Sequence, residues 1–231
     1  GSGMPSAAHS LAWLLLLAAE AAGALVPLSA LPLRTRGRHV VDSAGAPVAL
    51  HCVNWYGAHL RQMVFNGLNA LPLADITSSI AALGFNCVRL PFSLDLVFGV
   101  LPRVPNEQSS LAANPGLRGL SPLAVFDATV EALTARGLLV ILNNHVSSAT
   151  WCCDADDGEG LWYTEKYPES AWLEGLGVMA ARYGGNPRVA GFDLRNELRS
   201  SMGVKPAWGS GDPATDWMAA ARRGGERVAA A

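Results

Sequence analysis

Short apolar segments alternate with amphipathic segments along this chain, and the alternation strongly restricts the folds that it can adopt. The apolar segments, each a predicted strand, cover residues 48–55, 87–92, 138–142 and 189–194. Residues 138–142 are apolar without interruption, which is typical of a parallel strand that is buried on both faces. Repeated strand–helix units predict a parallel sheet with right-handed crossover connections.

The segments between the strands have apolar residues at helical spacing and recognisable capping residues. The first predicted helix covers residues 73–83. Ser121 and Pro122 are suited to the N-cap and the first turn of the second helix. A third helix is predicted over residues 172–183, and a last one runs from near Asp216 to the chain end.

An antiparallel hairpin is predicted ahead of the sheet. Residues 38–42 form a short β-prone run, residues 43–47 have turn chemistry, and the chain then enters the first predicted strand. The whole pattern predicts an α/β fold, a partial (β/α)8 TIM barrel of about four βα units preceded by an N-terminal β-hairpin. An open doubly wound sheet is the alternative, but residues 54–57 do not form its glycine-rich phosphate turn.

The N-terminal residues differ in character from the rest. Residues 11–19 are almost wholly apolar, and small residues at 22–24 and 29–30 are suited to cleavage. We therefore expect a secretory signal peptide or tail over residues 1–30, a secreted catalytic domain over residues 34–231, and no membrane anchor in the mature form.

Composition and charge exclude several classes of function. The formal net charge is -2 and there is no long basic run, so nothing favours a nucleic acid or an anionic membrane as partner. The four cysteines, Cys52, Cys87, Cys152 and Cys153, do not form the paired motifs of a structural zinc site. Adjacent cysteines rarely both reach one ion, so we expect no metal at Cys152 and Cys153 with His145. We expect one of the adjacent pair to bond a distant cysteine instead.

Polar residues gather where the predicted strands end, which is the active-site edge of a barrel. Glu197 ends the fourth strand, where a carboxylate is costly unless it is paired or functional. A partly desolvated glutamate has a raised pKa and can serve as general acid/base on a glycosidic bond, with Asn196 binding a sugar hydroxyl. A salt bridge to Arg195 or Arg199 is the structural alternative, and the spacing does not separate the two.

The other polar and aromatic residues of this edge also have two interpretations each. Arg89 is able to hold a catalytic carboxylate, although an ion pair inside the barrel is favoured when the residue is taken alone. His145 and the adjacent Asn144 are candidates for binding sugar hydroxyls, or are structural. Aromatic residues beyond the strands are expected either to stack on sugar rings or to fill the loops; they are Trp55, Tyr56, Trp151 and Trp162.

These segments together resemble glycoside hydrolase family 5, the cellulase family with a (β/α)8 barrel. The resemblance covers roughly residues 34–230 and rests on residues 37–55, 86–91, 143–145 and 194–197. Residues 151–163 are similar to the plant and algal branch of that family.

The resemblance implies a role for each matching residue. Glu197 corresponds to the acid/base glutamate, Asn196 to a substrate-contacting asparagine and His145 to a histidine that lines the site. Arg89 corresponds to the arginine that steadies the nucleophile. The implied reaction is retaining hydrolysis of a β-linked oligo- or polysaccharide through a covalent glycosyl-enzyme, with no metal or organic cofactor.

The chain departs from the family pattern in one large respect. The family's nucleophile is a second glutamate on the seventh strand, whereas this chain ends at Ala231 in its fourth predicted helix. Glu226 is no substitute, because it belongs to that helix. We therefore expect the N-terminal half of a barrel, unstable alone or self-associating through its open edges. A non-catalytic carbohydrate-binding or interaction remnant is the alternative function.

Overall fold

In a computed structural model, which describes residues 25–154 and 156–231, the predicted apolar segments form a parallel sheet. An antiparallel hairpin, β1 (Arg34–Arg36) and β2 (His39–Val41), precedes it. The sheet has four strands in the order β3-β4-β5-β6. Their bounds are Cys52–Asn54 (β3), Cys87–Ser93 (β4), Leu139–Val146 (β5) and Val189–Asp193 (β6). This order is that of consecutive βα units and confirms the predicted partial barrel.

Helices connect the strands and cover the outer face of the sheet. They are α1 (Leu73–Ala82), α2 (Leu94–Val97), α3 (Glu107–Ser110), α4 (Pro122–Ala135), α5 (Glu169–Tyr183) and α6 (Trp217–Ala229). Two 3-10 turns lie at Leu28–Ala30 and Pro115–Leu117. The side chain of Ser121 caps α4 and that of Asp216 caps α6, each accepting a hydrogen bond from the third backbone amide beyond it.

The main hydrophobic core lies between the sheet and its outer helices. Phe92 of β4 and Phe126 of α4 are both buried and meet edge to face, with ring centroids 6.5 Å apart. Leu90 and Leu142, from neighbouring strands, belong to the same cluster. This packing fixes the strands, and the strands in turn fix the polar residues at their carboxyl ends.

The hairpin differs from the predicted one. The structure pairs β2 with the preceding β1, around a turn at Gly37 with φ of 60°, and not with the run that begins at residue 48. Glycine is favoured in such two-residue turns, because the turn requires positive φ. An isolated bridge joins Val41 to Pro47, the last residue of the predicted turn, and β3 begins only at Cys52.

The cysteine pairing also differs from the expectation. Cys52 and Cys87 lie opposite each other in the β3–β4 register and form a disulfide, with their Cα atoms 4.3 Å apart. Cys152 and Cys153 are bonded to each other and not to a distant cysteine. The expected bond from the adjacent pair to a distant cysteine was wrong, because the strand register places Cys52 and Cys87 opposite each other and they bond together.

The described start of the chain is part of the fold. Val26 is buried against Cys87 and Leu139 at the base of the sheet. Arg188 donates a hydrogen bond of 2.9 Å to the Val26 carbonyl. Residues 1–24 of the expected signal peptide or tail lie outside the described residues, and the expectation over residues 1–30 stays a prediction. Within the described ranges, no helix combines the length and apolarity needed to cross a bilayer.

β3 and β6 form the two edges of the sheet and have no second strand partner within residues 25–154 and 156–231. Ala190 of β6 is exposed. Unpaired edge groups of this kind are able to pair with another chain. The expected self-association through these edges stays a prediction.

Two adjacent glycines in α6 have opposite environments, although helix propensity alone predicts that both weaken the helix. A Cβ atom added at Gly224 would lie 2.6 Å from the ring of Trp172, which is fully buried on α5. A Cβ atom at Gly225 would meet nothing within 4 Å. Gly224 is therefore needed for the close approach of α6 to α5, and Gly225 is not.

We predict opposite effects of the two alanine substitutions on stability. Gly224→Ala should lower the free energy of unfolding by about 1–3 kcal/mol, because the added methyl group forces Trp172 out of its place. Gly225→Ala should raise it by about 0.5–1 kcal/mol through helix propensity. Urea unfolding followed by far-UV circular dichroism measures both. Equal effects of the two changes would contradict the described packing.

Candidate active site

Arg89 connects three segments at the polar edge of the sheet. Its Nε donates to Asp193 Oδ2 at 2.9 Å, and its Nη2 contacts the same carboxylate. Nη1 donates to Asn54 Oδ1 at 3.1 Å, and Nη2 also donates to Asn196 Oδ1 at 2.9 Å. Arg89 thus forms the expected ion pair inside the barrel and contacts Asn196 as well. Arg89 lies inside its strand and not at the end, because β4 continues to Ser93.

Asp193 also orients the neighbouring side chains. Asn143 Nδ2 donates to Asp193 Oδ2 at 2.9 Å, so the Asn143 Oδ1 atom faces His145 Nδ1, 2.7 Å away. Because that oxygen only accepts, His145 must carry its proton on Nδ1. His145 Nε2 is then free to accept from Asn196 Nδ2, at 3.3 Å. Each hydrogen bond in the series from Asp193 through Asn143 and His145 to Asn196 therefore joins one donor to one acceptor.

His145 packs against a second histidine that the sequence reasoning missed. The ring of His59 lies 4.2 Å from that of His145, centroid to centroid. Burial, the neighbouring His59 and the positive charges of Arg89 and Arg195 lower the pKa of His145 to about 3. Burial and Arg89 lower the pKa of His59 to about 4. Both rings are therefore neutral at physiological pH.

Glu197 follows β6 and projects from a strained backbone. Its φ is 39°, in the left-handed region that few non-glycine residues occupy, and such residues cluster at functional sites. Its side chain is exposed, so the expected partial desolvation is wrong for this structure. In the described ranges its carboxylate has no ion pair, because Arg195 binds Glu159 and Arg199 binds Asp157.

Those two arginines anchor the loop between β5 and α5. Arg195 is fully buried and donates to Glu159 Oε2 at 2.8 Å and to the Glu159 carbonyl at 2.9 Å. The backbone amides of Ser147 and Ser148 donate to the same carboxylate. A buried ion pair is favourable only when its remaining polar atoms are satisfied, as most are here. The loop is thus tied to the residues that flank Glu197.

Two exposed aromatic rings meet between two loops. Trp151 belongs to the anchored loop, and Tyr56 belongs to the loop after β3. Tyr56 and Trp151 meet at right angles with ring centroids 5.9 Å apart. Trp151 is 66% exposed and Tyr56 is 39% exposed, so their ring faces are accessible. Asn66 Nδ2 donates to the Tyr56 hydroxyl at 2.8 Å and holds that ring in place. The more exposed ring, that of Trp151, offers an apolar face of the kind that stacks on a sugar ring.

Three of the predicted substrate-binding residues are buried and point elsewhere. Trp162 is fully buried, and its indole nitrogen donates to Glu169. Trp55 is buried against Phe65 and donates to a backbone carbonyl. Asn144 lies on the opposite face of β5 from His145 and accepts from Arg195 at 3.2 Å. Packing and strand alternation turn these three side chains away from the edge that carries His145, and their predicted sugar contacts stay predictions.

Cys152 and Cys153 approach the site in a way that the sequence did not predict. Asn196 Nδ2 lies 3.5 Å from Cys152 Sγ and 4.0 Å from Cys153 Sγ. One carboxylate oxygen of Glu197 and the two sulfur atoms all lie within 4.8 Å of one another. The sequence analysis considered these cysteines with His145, whereas the structure places them beside Glu197.

Comparisons with known proteins identify the family to which the chain belongs. The family model for cellulase (glycosyl hydrolase family 5) matches residues 41–231. A glycosyl hydrolase 5 family protein of Chamaecyparis obtusa is 39% identical over an alignment of 222 positions, which covers 88% of this chain and 38% of that protein. An endoglucanase of Paenibacillus polymyxa is 33% identical and matched over 84% of this chain and 46% of its own length. The chain belongs to glycosyl hydrolase family 5.

Solved structures give the same result for the fold. The catalytic domain of the major endoglucanase from Xanthomonas campestris pv. campestris is 34% identical, with a TM-score of 0.75 over 86% of this chain and 54% of that one. A cellotetraose complex of the endocellulase from Pyrococcus horikoshii is 30% identical, also with a TM-score of 0.75, and is matched over 54% of its length. This chain thus spans about half the length of these structures.

Sequence reasoning missed Asp193, Asn143 and His59 as parts of the site. Asn143 precedes His145 by two residues on one strand. Side chains at that spacing lie on the same face of a strand, so the sequence does indicate that the two residues are neighbours. Asp193 ends β6 in register with Asn143, which strand register alone reveals. His59 lies in an irregular segment, and no sequence pattern indicates its contact with His145.

We predict that acidification destabilises the fold through these two histidines before the carboxylates titrate. An unfolded histidine binds a proton near pH 6.5, whereas the folded pKa values of His145 and His59 are about 3 and about 4. The unfolded chain therefore binds more protons below pH 6.5, and stability falls as pH drops. The loss between pH 7 and pH 5 should be up to about 2 kcal/mol for each histidine. Urea unfolding at the two pH values measures it.

His59→Gln provides the control, because it removes one of the two titrating rings. This variant should show roughly half the loss between pH 7 and pH 5. Hydrogen bonds from Lys166 and Arg223 outweigh burial and lower the pKa values of Asp95 and Glu169, so those carboxyl groups affect stability only at lower pH. The same pH slope in the variant and the parent would show that the histidines are not responsible.

Proposed function

We propose that this chain carries the acid/base half of a retaining glycoside hydrolase that cleaves β-linked glucans. The observation that carries the proposal is the position of Glu197, an exposed strand-end carboxylate that no described cation neutralises. Its backbone is in the left-handed region, and the adjacent Asn196 is held by Arg89 and His145. Such a carboxylate is suited to protonating a leaving glycosidic oxygen and later deprotonating water.

The surrounding residues support this role by fixing the position of Asn196. Arg89 donates to the Asn196 oxygen, and neutral His145 accepts from its nitrogen, so the amide has one orientation. A fixed amide beside the acid/base residue presents a defined hydrogen-bonding surface to a sugar hydroxyl. Because His145 stays neutral, it adds no positive charge beside Asn196. Arg89, Asn196 and His145 therefore act as positioning and substrate-contacting groups.

Retention requires a second carboxylate about 5–5.5 Å from the first. Asp193 is engaged in an ion pair with Arg89, and Glu159 of the anchored loop is engaged in one with Arg195. Glu226 lies on α6 and faces Arg222 at 3.9 Å. We therefore propose that the nucleophile comes from outside these residues, from the part of the family fold that the matched region does not cover.

Substrate and location are proposed from the relatives. Matched proteins are named endoglucanases, and one solved endocellulase holds cellotetraose, so we propose a β-glucan that stacks on Tyr56 and Trp151. One relative is named a major extracellular endoglucanase, and paired cysteines are typical of oxidising compartments, so we propose secretion. Because Val26 packs into the fold, cleavage near residues 22–24 suits the structure better than cleavage at 29–30.

We predict that Glu197→Gln abolishes turnover. The purified chain, supplied with the residues that complete the family fold, should hydrolyse carboxymethyl cellulose, and the variant should be slower by about a factor of 10² to 10⁴. Reducing-sugar release measures the difference. Glu165→Gln is the matched control, because Glu165 is an exposed glutamate on the loop between β5 and α5 and its substitution should leave the rate unchanged. Full activity in Glu197→Gln would rule out the acid/base assignment.

We predict separately that Trp151→Ala weakens saccharide binding. Loss of the exposed indole removes one face of the aromatic pair, and the dissociation constant for cellotetraose should rise about tenfold, equivalent to about 1.4 kcal/mol. Isothermal titration calorimetry with the Glu197→Gln chain measures binding without turnover. Leu83→Ala, which trims an exposed apolar side chain just after α1, should bind normally. Unchanged affinity in Trp151→Ala would place the sugar elsewhere.

A further inference from the structure

We propose that Cys152, Cys153 and Glu197 form a binding site for a soft divalent cation when the two cysteines are reduced. The two sulfur atoms and a carboxylate oxygen all lie within 4.8 Å of one another. Ligands around a tetrahedral zinc ion lie about 3.5–3.8 Å apart, given bond lengths of about 2.0–2.3 Å. Reduction releases the two bonded sulfur atoms, which must then move apart to about this spacing while the carboxylate oxygen stays within reach, so that all three coordinate one ion.

The usual objection to adjacent cysteines does not apply here. Neighbouring side chains generally point in different directions and cannot share an ion. In this loop both sulfur atoms face the same group, since each lies within 4.0 Å of the Asn196 amide nitrogen. Both cysteines are half-buried, and Glu197 is exposed, so ions and reductants are able to reach the site.

The charge of the site also favours a cation. The Glu197 carboxylate has no ion pair among the described residues, and the nearby Arg199 is committed to Asp157. Two thiolates and one carboxylate would concentrate three negative charges. Thiolates select soft ions such as Zn²⁺ and Cd²⁺ over Mg²⁺ and Ca²⁺, and three protein ligands leave a fourth position for water.

The redox state of the pair determines whether the site exists. In the disulfide the two sulfurs are bonded to each other and neither is a thiolate. An external dithiol such as dithiothreitol transfers two electrons and two protons to the disulfide and itself becomes a cyclic disulfide. Cation binding then displaces the two thiol protons. If Glu197 is the acid/base residue proposed above, the bound cation would also block it, but cation binding does not depend on that role.

Cadmium titration of the reduced chain tests the site without any substrate. The chain is reduced with dithiothreitol, desalted under nitrogen and titrated with Cd²⁺, and the thiolate-to-cadmium ultraviolet absorption is recorded. Cys52→Ser/Cys87→Ser leaves only the adjacent pair and should bind one equivalent. In that background, Glu197→Gln should raise the dissociation constant about tenfold or more, and Glu165→Gln should not change it.

A second comparison covers the case in which loss of the Cys52–Cys87 disulfide unfolds the chain. Reduced parent should bind one more equivalent of Cd²⁺ than reduced Cys152→Ser/Cys153→Ser. The unreduced parent should bind no Cd²⁺ at this site. Equal stoichiometry in the parent and Cys152→Ser/Cys153→Ser would overturn the proposal. Equal affinity in Glu197→Gln and its background would remove Glu197 from the site and overturn it as well.

Discussion

The contact between Arg89 and Asp193 determines the arrangement of the polar edge of this sheet. The guanidinium group reaches from β4 to β6 and so bridges strands that are not neighbours. Asp193 is in turn the acceptor that orients Asn143, and Arg89 is the donor that orients Asn196. Charge-assisted hydrogen bonds are stronger than neutral ones, so this pair is able to set the direction of the weaker amide and imidazole contacts around it.

Most of the fold could be predicted because its signals are local. Ser121 and Asp216 are side-chain caps that a sequence shows directly, and the uninterrupted apolar run of β5 indicates a strand buried on both faces. The hairpin and the disulfides could not be predicted as well, because they depend on register. Which residue lies opposite Val41 or Cys87 is decided by the turn at Gly37 and by the alignment of whole strands.

Part of the candidate site could be predicted, because the order of strands and helices already determines which strand ends lie together. Glu197, Asn196 and His145 come together because parallel strands end at one edge, which follows from topology. Asn143, and not the predicted Asn144, shares a face with His145, because a shift of one residue along a strand reverses the face. Trp162 is a large apolar side chain, and whether such a residue fills a loop or lies on its surface depends on neighbours such as Glu169, which only the folded structure reveals.

The anchoring of the loop between β5 and α5 has a consequence for engineering. Trp151 and the adjacent cysteines belong to this loop, but Arg195 and Arg199, which hold it, lie on either side of Glu197. The loop and the end of β6 are therefore a single transferable module. A loop transplanted into a related barrel without both arginines would bring Glu159 with no buried partner, and a loop shortened at Asp157 would leave Arg199 without its carboxylate.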